Sequence, residues 1–201
     1  MRSYRELVGS VFMRSSANGA ALLACVFAAG LAAGAGRAAA QGAFSLTSTD
    51  LKDGAAFGKA QVYDRNDCTG RNVSPELSWR NAPAGTKSFA VTVFDIDAPG
   101  PGWWHWAVAA IPPSVTALPA NASASGYLTK IGAVQARNDW GDEGYGGPCP
   151  PPGKLHRYVV TVFALNTADL RLGPGRHALM FDHEINTAAL AKASLTVTYQ
   201  R

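Results

Sequence analysis

Three short segments of this chain place acids, imidazoles and rigid turns at spacings that could build a site. The first is Asp95-Ile96-Asp97-Ala98-Pro99, two acids that end an apolar run. In an extended chain, residues two apart share a face, so Asp95 and Asp97 continue the side of Val91 and Val93. Such carboxylates are either solvated at a strand end or drawn into a pocket. The second segment is Trp103-Trp104-His105-Trp106, which opens a strand after a tight Pro/Gly loop. A histidine among aromatic residues is often a satisfied core residue, but aromatic walls around one polar group also describe a small-molecule site. The third runs from Tyr145 through Gly146-Gly147-Pro148-Cys149-Pro150-Pro151-Pro152-Gly153 to His156-Arg157-Tyr158. It delivers His156 and Tyr158 to one strand face and Arg157 to the other. Bare N–H groups at Gly146 and Gly147 could meet an oxyanion where side chains would obstruct it. Taken alone, the segment also reads as a plain hairpin connection.

The chemistry open to these residues is of two kinds. A carboxylate close to an imidazole raises its pKa and favours the cation, which suits an anionic ligand. The same pairing serves general acid–base work, as in a hydrolase. No activated nucleophile accompanies it: the chain has no G-x-S-x-G elbow, H-E-x-x-H pair, Walker loop or dinucleotide glycine fingerprint. No residue is therefore assigned a catalytic role, and no cofactor is expected. His177 and His183 lie six apart beside Asp182 and Glu184, a spacing that fits neither i,i+4 helical ligands nor a strand pair. No metal site is assigned there, and Asp182 is read as a helix N-cap.

The elements that must carry these residues are mostly strands. Lys87–Asp95, Trp103–Ile111, Arg157–Leu165 and Ser194–Tyr199 are rich in β-branched and aromatic residues. Phe44–Thr47, Leu77–Trp79 and Gly132–Ala136 are weaker candidates. Pro and Gly clusters at 82–85, 98–102, 112–113 and 146–153 punctuate them. Only Asp182–Ala193 reads as helical, with Ile185, Ala189, Leu190 and Ala193 on one stripe. Many strands and one late helix predict an all-β, antiparallel sandwich. The short 98–102 loop makes the strands that carry Asp95 and His105 hairpin neighbours.

Composition narrows the class of partner. The 201 residues include 18 Lys+Arg and 14 Asp+Glu. Arg2, Arg5, Arg14, Arg37 and Glu6 fall within the first 40 residues, leaving 14 basic against 13 acidic residues beyond them. The remainder has no basic run, which argues against a nucleic-acid partner. Ser15 to Gly36 is uncharged and rich in Ala, Leu, Gly and Val; it follows Arg14 and precedes Ala38-Ala39-Ala40. That is the pattern of a secretory signal peptide over residues 1–40, with Gln41 as the mature start and Met13 as a second candidate for initiation. The Ala/Gly dilution argues against a retained membrane anchor, and Cys25 would leave with the leader. Residues 41–201 are then one periplasmic or secreted domain. It keeps two cysteines, Cys68 and Cys149, and in an oxidising compartment an even pair argues for a disulfide over two free thiols.

Taken in order, the three segments resemble the phosphatidylethanolamine-binding protein (PEBP) family, more narrowly its bacterial YbhB/YbcL-type branch, called Raf-kinase-inhibitor-like. The likeness extends to Asn72-Val73-Ser74-Pro75-Glu76-Leu77-Ser78-Trp79, Pro83–Ser88 and Ala164-Leu165, and so to nearly all of residues 44–200. It implies an antiparallel PEBP-like β-sandwich with few short helices and an anion pocket at one end. By motif position, Asp95, Asp97, His105, Gly147, Pro150, Pro151, His156 and Tyr158 would surround a phosphate, acetate or phospholipid-headgroup-like ligand. Asp95 would orient and charge a histidine, His105 and His156 would donate to the anion, and Tyr158 with the loop amides would complete the shell. The resemblance therefore implies a non-enzymatic binding protein, with regulation of a partner protein as a further role. A hydrolase or an inhibitor-type interaction protein is the alternative. Two departures bear on this: Ile96 stands where the family usually has proline, and no C-terminal helix follows the last strand to cap a pocket as in eukaryotic members.

Overall fold

The computed structural model describes residues 42–201. The leader, its Met13 alternative and Cys25 lie outside the described residues. Among the described residues, eight strands and two helices follow in the order β1 (Ser45–Thr47), β2 (Leu77–Arg80), β3 (Ser88–Asp95), β4 (Trp103–Ile111), β5 (Ala117–Leu118), α1 (Tyr127–Lys130), β6 (Val134–Gln135), β7 (His156–Leu165), α2 (Ala178–Ala188) and β8 (Ala189–Tyr199). They form two antiparallel sheets, β1-β2-β5 and β6-β4-β3-β7-β8. The all-β reading therefore holds. No helix among the described residues is long and apolar enough to cross a membrane.

β3 lies at the centre of the larger sheet, and its two faces explain its nearly unbroken burial. Its Phe89, Val91 and Val93 join Trp106, Val108, Val160 and Val162 in the core shared with Leu46, Leu77 and Trp79 of the smaller sheet. The opposite face is paved with small residues, Ala90, Ala107 and Ala109, against which α2 lays Ala178, Phe181 and Ile185. Alanine lets the helix approach closely, and burying Phe181 and Ile185 stabilises the layer by about 2–3 kcal/mol each.

The helix is offset from its expected span of 182–193. It starts at Ala178, where His177, rather than Asp182, caps the end by accepting from the Leu179 N–H at 3.3 Å. Asp182 lies inside the helix and accepts from the Asn186 side chain. The segment after Ala188 is a strand because it pairs with β7 along its whole length. Its burial alternates from Ala189 to Leu195, the period of a strand and not of a helix. Alanine-rich sequence reads as helix in isolation, and here sheet pairing overrides that preference.

A disulfide joins Cys68 to Cys149 across 81 residues, with Cα atoms 6.0 Å apart. It ties the 63–70 segment to the Gly/Pro loop that precedes β7.

Candidate functional site

The site sits where β3, β4 and β7 reach the same end of the large sheet. Asp95 is the last residue of β3 and lies opposite Trp103 of β4 and Tyr158 of β7. The turn after Asp95 is locked by its own side chain, since Oδ1 accepts from the N–H groups of Asp97 (2.9 Å) and Ala98 (3.1 Å). Gly102 then lets the chain re-enter the sheet with φ of 96°; a Cβ there would meet Phe94 Cζ at 2.2 Å and the Asp95 carbonyl at 2.8 Å.

β4 departs from regular pairing at the residue that matters. Val93 faces Trp106 and Phe94 faces Trp104, so His105 is the extra residue of a β-bulge. Its ring is buried, with Nδ1 2.6 Å from the Gly146 carbonyl. A carbonyl only accepts, so Nδ1 carries the proton and Nε2 is the nitrogen left for a ligand. Gly146 clasps the residue from both sides, since its own N–H donates to the His105 carbonyl at 2.9 Å. The His105 pKa is lowered by burial, against the opposing pull of the Gly146 carbonyl and the Asp95 charge.

Asp95 pairs instead with His156. Its Oδ2 accepts from His156 Nδ1 at 2.7 Å, and both side chains are almost wholly buried. Three N–H donors thus converge on one carboxylate, and His156, like His105, keeps Nε2 for the cavity. Tyr158 stands between the two imidazoles, 5.2 Å from the His105 ring and 6.5 Å from that of His156. Its hydroxyl is buried without a hydrogen-bond partner, and the same is true of the Trp103 Nε1–H. Burial, and then the Asp95 charge, raise the Tyr158 pKa, so the phenol keeps its proton.

These groups line a cavity of about 380 Å³. Its remaining walls are Ala98, Pro99, Trp140, Cys149 and Pro150–Pro152, with Asn66 and Arg201 completing it. Trp140 packs edge-on against Trp103 at 5.0 Å and stacks on Tyr63 at 4.5 Å.

Six of the eight residues singled out in the sequence come together here: Asp95, His105, Pro150, Pro151, His156 and Tyr158. The other two do not line the cavity. Asp97 faces outward, held by Arg157 through Nε and Nη2 at 2.8 Å each and through the Arg157 backbone N–H at 2.8 Å. Those contacts hold its carboxyl well below the usual carboxylate range. Asp97 is a brace between the turn after β3 and the start of β7. Gly147 serves close packing: a Cβ would lie 2.1 Å from the Gln61 carbonyl. Its N–H is used by Asn72 Oδ1 at 2.7 Å. The expected oxyanion amides of Gly146 and Gly147 are therefore both engaged within the protein. Trp140, Asn66 and Arg201 were not indicated by any local motif, because each reaches the cavity through tertiary packing alone. His177 is remote from His183 in role: it donates from Nε2 to Asp139 Oδ1 at 2.7 Å, whereas His183 is exposed beside Glu184.

With this geometry in place, comparison with known proteins is direct. Residues 47–200 match the family model described as Phosphatidylethanolamine-binding protein. The chain is similar to YbcL of Escherichia coli, 44% identical over 161 residues that cover 79% of this chain and 88% of the relative. YbhB of Escherichia coli is 39% identical over 155 residues, covering 77% of this chain and 98% of that protein. A Mycobacterium tuberculosis relative, named a putative lipoprotein, LppC, is 37% identical over 134 residues, covering 66% of this chain and 63% of its own length. The crystal structure of Escherichia coli YbcL, titled a new member of the mammalian PEBP family, superposes with a TM-score of 0.75 at 42% identity, covering 79% of this chain and 98% of that one. Sequence order, sheet topology and relatives agree: this chain belongs to the phosphatidylethanolamine-binding protein family, within its YbhB/YbcL-type branch.

Proposed function

We propose that this family member is an exported, non-enzymatic binding protein that holds a small anionic or phosphorylated ligand in the cavity between β3, β4 and β7. In this reading residues 1–40 are removed before Gln41, and the domain that follows works in the periplasm or outside the cell; the lipoprotein name of one relative is in keeping with an envelope location. One observation carries the ligand assignment. Two buried donors, Tyr158 Oη and Trp103 Nε1, have no partner within the protein and belong to the walls of the cavity. Unsatisfied buried donors are costly, about 1–3 kcal/mol each, and an oxyanion would satisfy both.

The imidazoles refine the ligand's chemistry. Both direct Nδ1–H at protein acceptors, so each leaves Nε2 as the nitrogen that faces a ligand. A ligand then either brings a hydroxyl of its own, as hydrogen phosphate does, or takes its place together with a proton on a histidine. Only the second route makes the affinity for a ligand of constant charge fall as pH rises, and an unchanged affinity from weakly acid to weakly alkaline pH would refute it.

The test is calorimetric titration with inorganic phosphate and O-phosphoethanolamine, beside His156→Ala. Binding by the parent that the variant loses supports the reading; no binding by the parent overturns it and turns attention to a protein partner. A hydrolase is the second reading, favoured by the Asp95–His156 pair, whose free Nε2 is where a general base would act. Turnover of phosphate or carboxylate esters that His156→Ala abolishes would select it.

A further inference from the structure

The interior of the cavity holds little positive charge with which to meet a doubly charged ligand. Burial moves His105 toward its neutral form. His156 directs its Nδ1–H at the Asp95 carboxylate, whose charge offsets that of the ring, and Tyr158 and Trp103 are neutral donors. Asp95 itself is an acid. A dianion entering this set of groups needs a cation close by, and the cations of the neighbouring surface are engaged. Arg157 is locked on Asp97 through two side-chain bonds, and Lys154 donates to the Asp97 carbonyl at 3.3 Å.

Arg201 is different. Among the described residues that line the cavity it is the one Lys or Arg. Its Nη1 donates to the Asn66 carbonyl at 3.2 Å and rests 3.9 and 4.0 Å from the two disulfide sulfurs. No Asp or Glu side chain of the described residues forms an ion pair with it. One nitrogen is thus seated on the protein while the rest of a five-donor fork stays open. The seat is well defined. Asn66 and Asp67 turn the chain with φ of 56° and 63°, and the disulfide one residue later fastens that turn to the loop bearing Pro150–Pro152. At the other side, the Gly153 N–H donates to a main-chain oxygen of Arg201 at 3.0 Å. A guanidinium held in this way loses little freedom on binding.

We infer that Arg201 is the charge-selecting residue of the cavity, favouring a terminal phosphate dianion over singly charged and neutral ligands. The inference rests on the anion-binding reading above and assigns its selectivity to a residue outside the three motifs. An inorganic phosphate and a phosphate monoester present the same oxygens to the fork; they differ in what occupies the rest of the cavity.

The experiment is calorimetric titration of the full chain and of Arg201→Gln, Arg201→Lys and His156→Ala, at low and high salt. The probes are inorganic phosphate, O-phosphoethanolamine and acetate, with circular dichroism and thermal midpoints as the check on folding. Arg201→Gln should weaken both phosphate probes about tenfold, the scale of one charge-assisted contact at a part-exposed site, and leave acetate within about twofold. Arg201→Lys should recover most of the loss, and the salt dependence seen in the parent should flatten in Arg201→Gln. A preference for O-phosphoethanolamine over phosphate would identify the headgroup as the source of the dianion, and the reverse would identify the free ion. Phosphate binding unchanged in Arg201→Gln but lost in His156→Ala overturns this inference and leaves the anion reading standing. Equal losses for phosphate and acetate overturn it too, since they report a structural role. Absence of binding in the parent overturns both.

Discussion

Replacing Asp95 tests the geometry of the site from within. Its carboxylate accepts three hydrogen bonds, from His156 Nδ1 at 2.7 Å and from the N–H groups of Asp97 and Ala98 at 2.9 and 3.1 Å. Asp95→Ala leaves all three donors without an acceptor, one of them fully buried. A charge-assisted bond contributes about 1.5–3 kcal/mol and each turn bond about 1 kcal/mol, so the expected loss of stability is about 3–5 kcal/mol. Asp95→Asn has the same shape and divides the effect. Its oxygen can keep the turn bonds, but its NH₂ then faces His156 Nδ1, which must become an acceptor and move its proton to Nε2. The expected cost is about 1–2 kcal/mol, and the cavity gains a donor where it had a lone pair. Urea unfolding at neutral pH measures both stabilities, and nitrogen NMR of the His156 ring reports the tautomer. An Asp95→Ala variant within about 1 kcal/mol of the parent would refute the three-bond account. So would Asp95→Asn with the His156 proton still on Nδ1.

Three further outcomes follow from the same geometry. Replacing Cys68 and Cys149 together with serine removes a link spanning 81 residues, and chain-entropy arithmetic predicts a loss of about 4–5 kcal/mol in urea unfolding against the oxidised parent; a loss under about 1 kcal/mol would contradict it. His105 has a folded-state pKa below its ordinary 6.5, so its contribution is complete above that value and is lost as pH falls toward the folded pKa, where the unfolded chain binds more protons. Acidification should therefore lower the urea midpoint of the parent more than that of His105→Gln, and parallel responses would count against a buried neutral imidazole. Gly147→Ala puts a Cβ 2.1 Å from the Gln61 carbonyl and 2.6 Å from the Tyr63 nitrogen. It should destabilise the protein by about 1–3 kcal/mol and weaken ligand binding by displacing the loop, whereas Gly173→Ala, with open space around it and no left-handed backbone, should leave binding as it is.

How far the sequence carried the reading depended on the range of the forces involved. The three motifs were legible because local spacing sets strand faces: Asp95, His156 and Tyr158 sit where alternation puts them. The partner of Asp95 was less legible. Hairpin adjacency made His105 the obvious candidate, but the bulge in β4 turns that ring to Gly146 and leaves Asp95 to His156. Asp97 shares a parity with Asp95, yet the chain leaves the strand at Asp95, so parity no longer decides its direction. The glycine amides looked free because a sequence does not show which side chain, here Asn72, will reach them. The α2 boundary was missed where alanines at 188–193 favour helix locally and pairing with β7 makes most of them a strand. Trp140 and Arg201 had no signal at all, since they meet the cavity only after the chain has closed over long distances.

Those distances have a kinetic consequence. The contacts that define the cavity join residues 61 apart at Asp95–His156, 41 at His105–Gly146, 81 at the disulfide and 135 at Arg201–Asn66. Each closure forfeits chain entropy before its contact forms, and topologies of this kind fold slowly. Neither half of the chain contains a working cavity, so a nascent or partly folded molecule has no place to hold a ligand. The proposed binding site is complete only in the finished sandwich. A ligand that binds the native state alone then draws the folding equilibrium forward as its concentration passes its dissociation constant. The appearance of binding during refolding is thus a clock for the last closures of the chain.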